Sequence, residues 1–380
     1  MDISLYLENI NSDIIDIYAP GTLGQVIKLC EKSEDFLNLG SFQLAILGVP
    51  EERGAFSNMG CSKAPNAIRS ALYKLYSGDY NCKIADLGNI KKGNSLKDTH
   101  SALTEICSLL LRENVIPIII GGSQDLAYSQ YLSYKALNHT INVVTIDALF
   151  DLGVAEDTIS SRNYVGKIIL QQPNFLFNLS NIGYQTYFVG KDSIQLMEKL
   201  YFDAYRLAQV KENIEEAEPI VRNADMLSFD VSAVRKSDAP GNENSSPNGF
   251  YGEEVCQIMR YAGMSDKMSS IGFYETNPDF DLQNQTSSLV AQMIWCFIDG
   301  FYNRRKDSPI ASKAGFTKYR IDIKNTDHEI IFYKSKKTNR WWMEVPYLEN
   351  KIKFQRHHFI PCSYSDYQTA CNNGIPERWW

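Results

Sequence analysis

Three short apolar runs end in carboxylates, and this constrains the chain more than any other feature of it. Residues 143–146 lead into Asp147 and then Asp151, and residues 115–120 lead into Gly121, Gly122, Ser123, Gln124 and Asp125. Residues 226–229 lead in the same way into Asp230, Val231 and Ser232. Apolar, β-branched runs of this length read as strands covered on both faces, as in parallel sheets. Such sheets place their chemistry just beyond the carboxyl ends of the strands. The three ends are therefore expected to converge on one site.

Between these runs the periodicity alternates. Strands are predicted over 42–49, from 82 onward, and over 115–120, 142–147, 184–189, 225–230 and 268–274. Helices are predicted over 65–76, 98–112, 126–137, 161–170, 192–216, 250–262 and 285–304. The alternation implies an α/β fold with a mainly parallel central sheet and helices on both of its faces. One domain is expected over 1–305, with 1–40 as a helical or irregular lead-in. Past 305 the texture changes. Residues 329–334 and 340–345 flank a polar turn at 335–339, the pattern of an antiparallel hairpin. The rest of this C-terminal extension, 306–380, carries Trp341, Trp342, His357, His358, Tyr364, Tyr367, Trp379 and Trp380. That is too aromatic for a disordered tail, and the segment is expected to pack on the main domain or a neighbouring subunit.

Composition narrows the function. A net charge of -7 over 380 residues offers no basic surface for nucleic-acid phosphates. No uninterrupted apolar stretch approaches the roughly 18 residues needed to span a bilayer. The opening residues lack the basic and apolar regions of a signal peptide. The expectation is a cytoplasmic protein with neither nucleic acid nor membrane as partner. Its eight cysteines are dispersed without a CxxC pair and should be reduced there.

Taken in order, several segments resemble one superfamily, that of arginase, agmatinase and formimidoylglutamase, the ureohydrolases. They are GVPEERGAFSNMGCSKAPNAIR (48–69), IADLGNI (84–90), IPIIIGGSQD (116–125), VVTIDALFD (143–151), LSFDVSAV (227–234) followed by DAPG (238–241), and YETNPDFD (274–281). The resemblance implies a three-layer α/β/α fold and a homo-oligomer. In active members it implies a pair of manganese ions whose bridging hydroxide attacks a guanidinium-type carbon.

The departures from the family pattern decide what to expect. Its motifs GGDHS, DAHxD and SxDxD supply the metal ligands; here Gln124, Leu149 and Ser232 stand at the two histidines and the second aspartate. Asp147, Asp151 and Asp230 still match. By the resemblance, Gln124, Asp147, Asp151 and Asp230 would hold one ion, all through oxygen. Leu149, Asp147, Asp230 and Ser232 would hold the other, where hydrocarbon and a neutral hydroxyl replace ligands. A two-metal hydrolase needs both ions, roughly 3.5–4 Å apart, to acidify a shared water. The expectation is a pseudoenzyme that binds an unknown small molecule or protein, with Asp147 and Asp230 as family-equivalent catalytic positions and no resident metal. Its alternative is a single Mg²⁺, Ca²⁺ or Mn²⁺ on the all-oxygen set. That ion would serve a working hydrolase of linear amidines or guanidines, formimidoylglutamase-like or agmatinase-like. Without an ion the carboxylates should repel, so that one takes up a proton or a basic partner. Arg162, Arg235 and Lys236 are nearest in sequence.

Glu275 and Asn163 stand where the resemblance implies substrate contacts, although Glu275 could instead cap the helix near 285 or pair with an arginine. Asp238, Pro240 and Gly241 read as a structural turn. None of the five histidines, His100, His139, His328, His357 and His358, occupies a motif position. His139 reads as a loop residue at the far end of the central strand. His357 and His358 read as part of the packed tail, the alternative being that the tail folds over the site and donates one of them.

Overall fold

The computed structural model describes residues 3–8, 10, 18–31, 33–153, 158–310, 312–324, 329–345 and 357–379. The central sheet is built from β1 (Leu7–Glu8), β2 (Lys28–Leu29), β3 (Leu44–Val49), β4 (Ile84–Ile90), β5 (Ile116–Gly121), β6 (Ile141–Ile146), β7 (Leu176–Tyr184), β8 (Asp203–Arg206), β9 (Met226–Asp230) and β10 (Ser270–Tyr274). Its order is β1-β4-β3-β5-β10-β9-β6-β7-β8, with β2 also on β4. The first strand runs antiparallel to β4, and the other pairings are parallel. The sheet is mainly parallel, as the alternation of elements implied.

Helices cover both faces because the strands are apolar on both. In β5, Ile118 and Ile120 pack into one core and Ile119 into the other; Val144 and Val143 of β6 divide the same way. The first core is closed by helices Ala64–Leu72, Ala217–Asn223, Gly252–Gly263 and Gln285–Tyr302, the second by Leu96–Arg112, Leu126–Leu132 and Tyr164–Leu170. No helix among the described residues is long and apolar enough to cross a membrane.

Two elements differ from the sequence reading. A strand expected over 184–189 lies earlier, as β7, and ends at Tyr184. Asn178 and Asn181 interrupt its apolar pattern, and the fold accommodates them by side-chain hydrogen bonds to Asp203 Oδ2 (2.7 Å) and Thr145 Oγ1 (3.1 Å). The helix expected over 192–216 is broken by β8, a four-residue edge strand whose half-exposed side chains carry little apolar signal.

The C-terminal extension forms a second, antiparallel sheet of β11 (Phe316–Asp322), β12 (Glu329–Ser335), β13 (Trp341–Glu344) and β14 (Phe359–Cys362), followed by helix Tyr364–Cys371. It docks through Arg222, which is 5% exposed. The Arg222 guanidinium donates to the carbonyls of Trp341 (3.1 Å) and Cys362 (3.3 Å), lies 4.4 Å from the Trp342 ring centre and pairs with Glu218 at 2.9 Å. His357 stacks on Phe177 with ring centres 3.6 Å apart and meets Thr140 Oγ1 at 3.4 Å, just before β6 begins. The extension therefore sits at the amino end of β6, opposite the carboxylates, which overturns the alternative of a tail folded over the site. His358 faces the other way, toward Glu344 and the Val345 carbonyl, as neighbours in an extended segment must. His139 lies at that same far end, and His328 falls outside the described residues.

Replacing Arg222 with Met would leave two buried carbonyls without their donor. We expect a loss of roughly 2–3 kcal/mol of stability and faster tryptic cleavage within 306–380. Unchanged cleavage and an unchanged urea midpoint would show that the extension is held some other way.

Candidate functional site

Four neighbouring strands, β5, β10, β9 and β6, end side by side. The turn after β5 is drawn tightly under its neighbours. Gly122 donates to the Val49 carbonyl (2.9 Å) and accepts from the Glu275 amide (2.8 Å). A Cβ on Gly122 would stand 1.8 Å from the Glu51 carbonyl oxygen, so only glycine permits this approach. Glu275, the first residue after β10, is held at φ +67°, a strained conformation for a residue with a side chain. Its carboxyl accepts from the Gln124 amide (2.8 Å) and from Asn58 Nδ2 (2.7 Å), while Asn58 and Asn242 both donate to its carbonyl (2.9 and 2.8 Å). Asn277 in turn donates to Asn58 Oδ1 (3.0 Å).

Beside this frame lie three aspartates. Asp147 Oδ1 accepts from the Leu149 amide (2.9 Å), and Asp230 Oδ1 from the Ser232 amide (2.6 Å). Asp151, at φ +46°, lies 3.7 Å from Arg162. Arg162 is thus the basic partner the sequence called for. Arg235 is instead engaged by Asp238 (2.8 Å), and Lys236 is exposed.

With so little compensation, burial favours the protonated form of these carboxyls. Burial raises Asp147 well above the usual carboxylate range, and the charge of Asp151 adds to the effect. Oδ2 of Asp147 is buried and meets no donor, which adds to the cost of its charge. Burial lifts Asp151 to about 7, with Arg162 opposing. Asp230 rises to about 8 through burial and Asp147, and Glu275 to about 8 through burial and Asp230.

The substituted positions have found local roles. Gln124 donates from Nε2 to Ser228 Oγ (3.3 Å). Leu149 is half-buried, its carbonyl held by Asn181 Nδ2 (2.9 Å). Gln124 Oε1, Asp147 Oδ2 and the Tyr164 hydroxyl are buried without partners. Among the described residues, no group of three His, Cys, Asp or Glu side chains is placed to hold an ion together.

The structure brings Gln124, Asp147, Asp151, Asp230 and Glu275 together. Asn163 is engaged within its own loop, where Oδ1 accepts from the Ser160 amide (2.9 Å) and Nδ2 donates to the Thr158 carbonyl (2.9 Å). The cap of the helix near 285 is Asp281, which accepts from the amides of Thr286 and Ser287, and not Glu275. Asp238 and Gly241 are structural, bonded to the Gly252 amide and to Thr286 Oγ1. Sequence reasoning missed Asn58, Asn242 and Tyr164. It also missed His100, which joins Asp125 Oδ2 (2.8 Å) and Ser129 Oγ (2.5 Å) beneath the turn. Asp125 lay in plain view inside GGSQD, but its partner lies on a helix 25 residues away.

Residues 42–299 match the Arginase family. The chain belongs to the arginase family. Similar proteins within the family include the formimidoylglutamase of Staphylococcus haemolyticus, 28% identical over 276 residues, 67% of this chain and 85% of that protein. A formimidoylglutamase of Staphylococcus aureus is 26% identical over 266 residues, again 67% and 85%. Among solved structures, Trypanosoma cruzi formiminoglutamase with Mn²⁺ has a TM-score of 0.66 at 20% identity, over 73% of this chain and 97% of that one. The agmatine ureohydrolase of Thermoplasma volcanium has 0.62 at 18%, over 77% and 97%. These structures share the arginase-family fold described above.

The raised carboxyl groups give the protein a characteristic pH response. Their folded pKa values exceed the unfolded ones of about 4, so the folded chain binds more protons, and the stability they confer is complete below pH ~4 and lost as pH rises through about 7 to 8. Asp230→Asn should therefore melt higher than the parent at pH 9 and show a smaller difference at pH 5. A constant difference at both would exclude a protonated Asp230.

Proposed function

We propose that this arginase-family chain is a pseudoenzyme, its hydrolytic centre degenerate, and that it acts by binding a ligand or partner. The observation that carries this reading is Leu149, a hydrocarbon side chain two residues after Asp147 where the family pattern has an imidazole. Ser232 adds a neutral hydroxyl in place of a carboxylate, and its amide occupies Asp230 Oδ1 at 2.6 Å. A pair of manganese ions does not fit this donor set. Without its ions, a water at neutral pH lacks the activation that metal binding supplies. What the side chains can do is hold protons at Asp147, Asp151 and Asp230 and offer acceptors at Gln124 Oε1 and Asp147 Oδ2. A planar amidinium or guanidinium suits them, because its N–H groups and positive charge would let the carboxyls ionise.

A second reading is favoured by the same unpaired atoms. Buried acceptors without donors often mark an ion, and an oxygen-only set suits one hard cation. On that reading the chain hydrolyses linear amidines, like the formimidoylglutamases it is similar to.

The two are separated by metal analysis and by assays for urea, ammonia and formamide release from arginine, agmatine and formimidoylglutamate with added manganese. We expect background metal and no turnover. The triple variant Gln124→His, Leu149→His, Ser232→Asp should then gain manganese. Turnover by the parent that Asp147→Ala abolishes would overturn the pseudoenzyme reading in favour of the hydrolase. Family membership also supports a homo-oligomer in the cytoplasm, which light scattering and fractionation would test.

A further inference from the structure

A cavity of about 350 Å³ opens beyond the carboxyl ends of β7 and β8, beside the carboxylates and not among them. Its lining includes Arg206, Lys211 and Arg235 and no carboxylate. In a chain of net charge -7, three cations face one hollow, and Arg206 is the one among them that no described carboxylate pairs.

The cations are held in place before any ligand arrives. Lys211 Nζ lies 3.4 Å and the Arg235 guanidinium carbon 4.0 Å from the centre of the Tyr251 ring. Behind the lining, Glu254 pairs with Lys211 (3.1 Å) and Asp238 with Arg235 (2.8 Å). Lys211 also donates to the Gly249 carbonyl (3.1 Å). Arg206 is different. It is exposed, donates to Thr186 Oγ1 at 3.2 Å, and among the described residues has no carboxylate partner. The rim is ordered as well: Gln185 donates to the Asn248 carbonyl (3.2 Å), and Tyr187 donates to Gln185 Oε1.

We propose that this cavity binds a small molecule carrying two oxyanion groups. Arg206 brings a planar fork with free donors for one group. Arg235 and Lys211 offer the other a preorganised pair whose entropy cost is already met by Tyr251 and the backing carboxylates. A volume in this range suits a small metabolite. Carboxylates and phosphates share this chemistry. The proposal stands apart from the reading of the carboxylate site, since it uses none of that site's residues.

The test is calorimetric titration of the full chain with glutarate, inorganic pyrophosphate and, as single-charge controls, acetate and chloride at matched ionic strength. Saturable one-to-one binding of glutarate or of pyrophosphate is expected, and whichever binds identifies the group as carboxylate or phosphate. Arg206→Gln, at an exposed position, should leave the melting temperature unchanged and weaken binding about tenfold or more; Arg206→Lys should recover part of it. Three outcomes overturn the proposal: no saturable binding of either dianion, equal binding by Arg206→Gln, or equal binding of acetate. Turnover assays play no part, so failure here leaves the pseudoenzyme reading untouched and the converse holds too.

Discussion

The repulsion among buried carboxyls at the ends of β6, β9 and β10 is the constraint to which the rest of the site answers. Asp147, Asp230 and Glu275 are each under 10% exposed, and close like charges in such a setting cannot all be ionised. In the absence of strong cationic partners the chain uses three lesser devices. Backbone amides of Leu149, Ser232 and Gln124 donate to one oxygen of each group. Arg162 approaches Asp151 without closing a tight ion pair, at 3.7 Å. The remaining cost falls on ionisation itself, since burial leads every one of the upward shifts and so favours the protonated forms.

The same constraint explains the frame around the site. A carboxyl that carries a proton near neutral pH needs fixed neighbours, or the side chain would swing toward solvent and ionise. Glu275 is fixed at both ends, by Asn58 and the Gln124 amide at its carboxyl and by Asn58 and Asn242 at its carbonyl. These donors orient the acid and favour its charged form, but burial and Asp230 outweigh them. Beneath the turn, Asp125 has its own histidine, and Gly54 lies so close that a Cβ there would stand 2.3 Å from the carboxylate. Gln124 is thereby carried on a turn that is rigid on both sides.

Much of this was legible in the sequence because parallel strands announce themselves. A run such as 143–146 is apolar on both faces, so its existence, its neighbours and the position of Asp147 just past its end follow from pattern alone. The family pattern then marked Gln124, Leu149 and Ser232 as the substituted positions. What stayed hidden was hidden for physical reasons. β8 is an edge strand, and edge strands lack the apolar signature. Asn58, Asn242 and His100 reach the site from loops and a helix distant in sequence, and a polar residue carries no periodic signal of where its partner lies. Whether Arg162 or Arg235 would meet the acids was equally undecidable, since both flank motifs; loop geometry sends one to Asp151 and the other to Tyr251 and Asp238.

The placement of the C-terminal sheet bears on function through what it leaves open. Its anchors, Arg222 with the Trp341 and Cys362 carbonyls and His357 on Phe177, lie toward the amino ends of the strands. The described residues of the extension are thus anchored at the end away from the carboxyl-end turns, and aromatic residues that made it conspicuous in the sequence pack in its own core, where Trp341 meets Tyr319, Tyr364 and Tyr367. The carboxyl ends, by contrast, carry two adjoining surfaces of opposite character, buried acids beyond β6 and cations beyond β7 and β8. They are linked by a strand turn, since Gln185 of the cation-lined cavity donates its amide to the carbonyl of Ala148, between Asp147 and Leu149. Asn181 Nδ2 adds a second link, to the carbonyl of Leu149 (2.9 Å), and Phe150 packs on Tyr184 at 4.8 Å between ring centres, so the two surfaces share one packed wall.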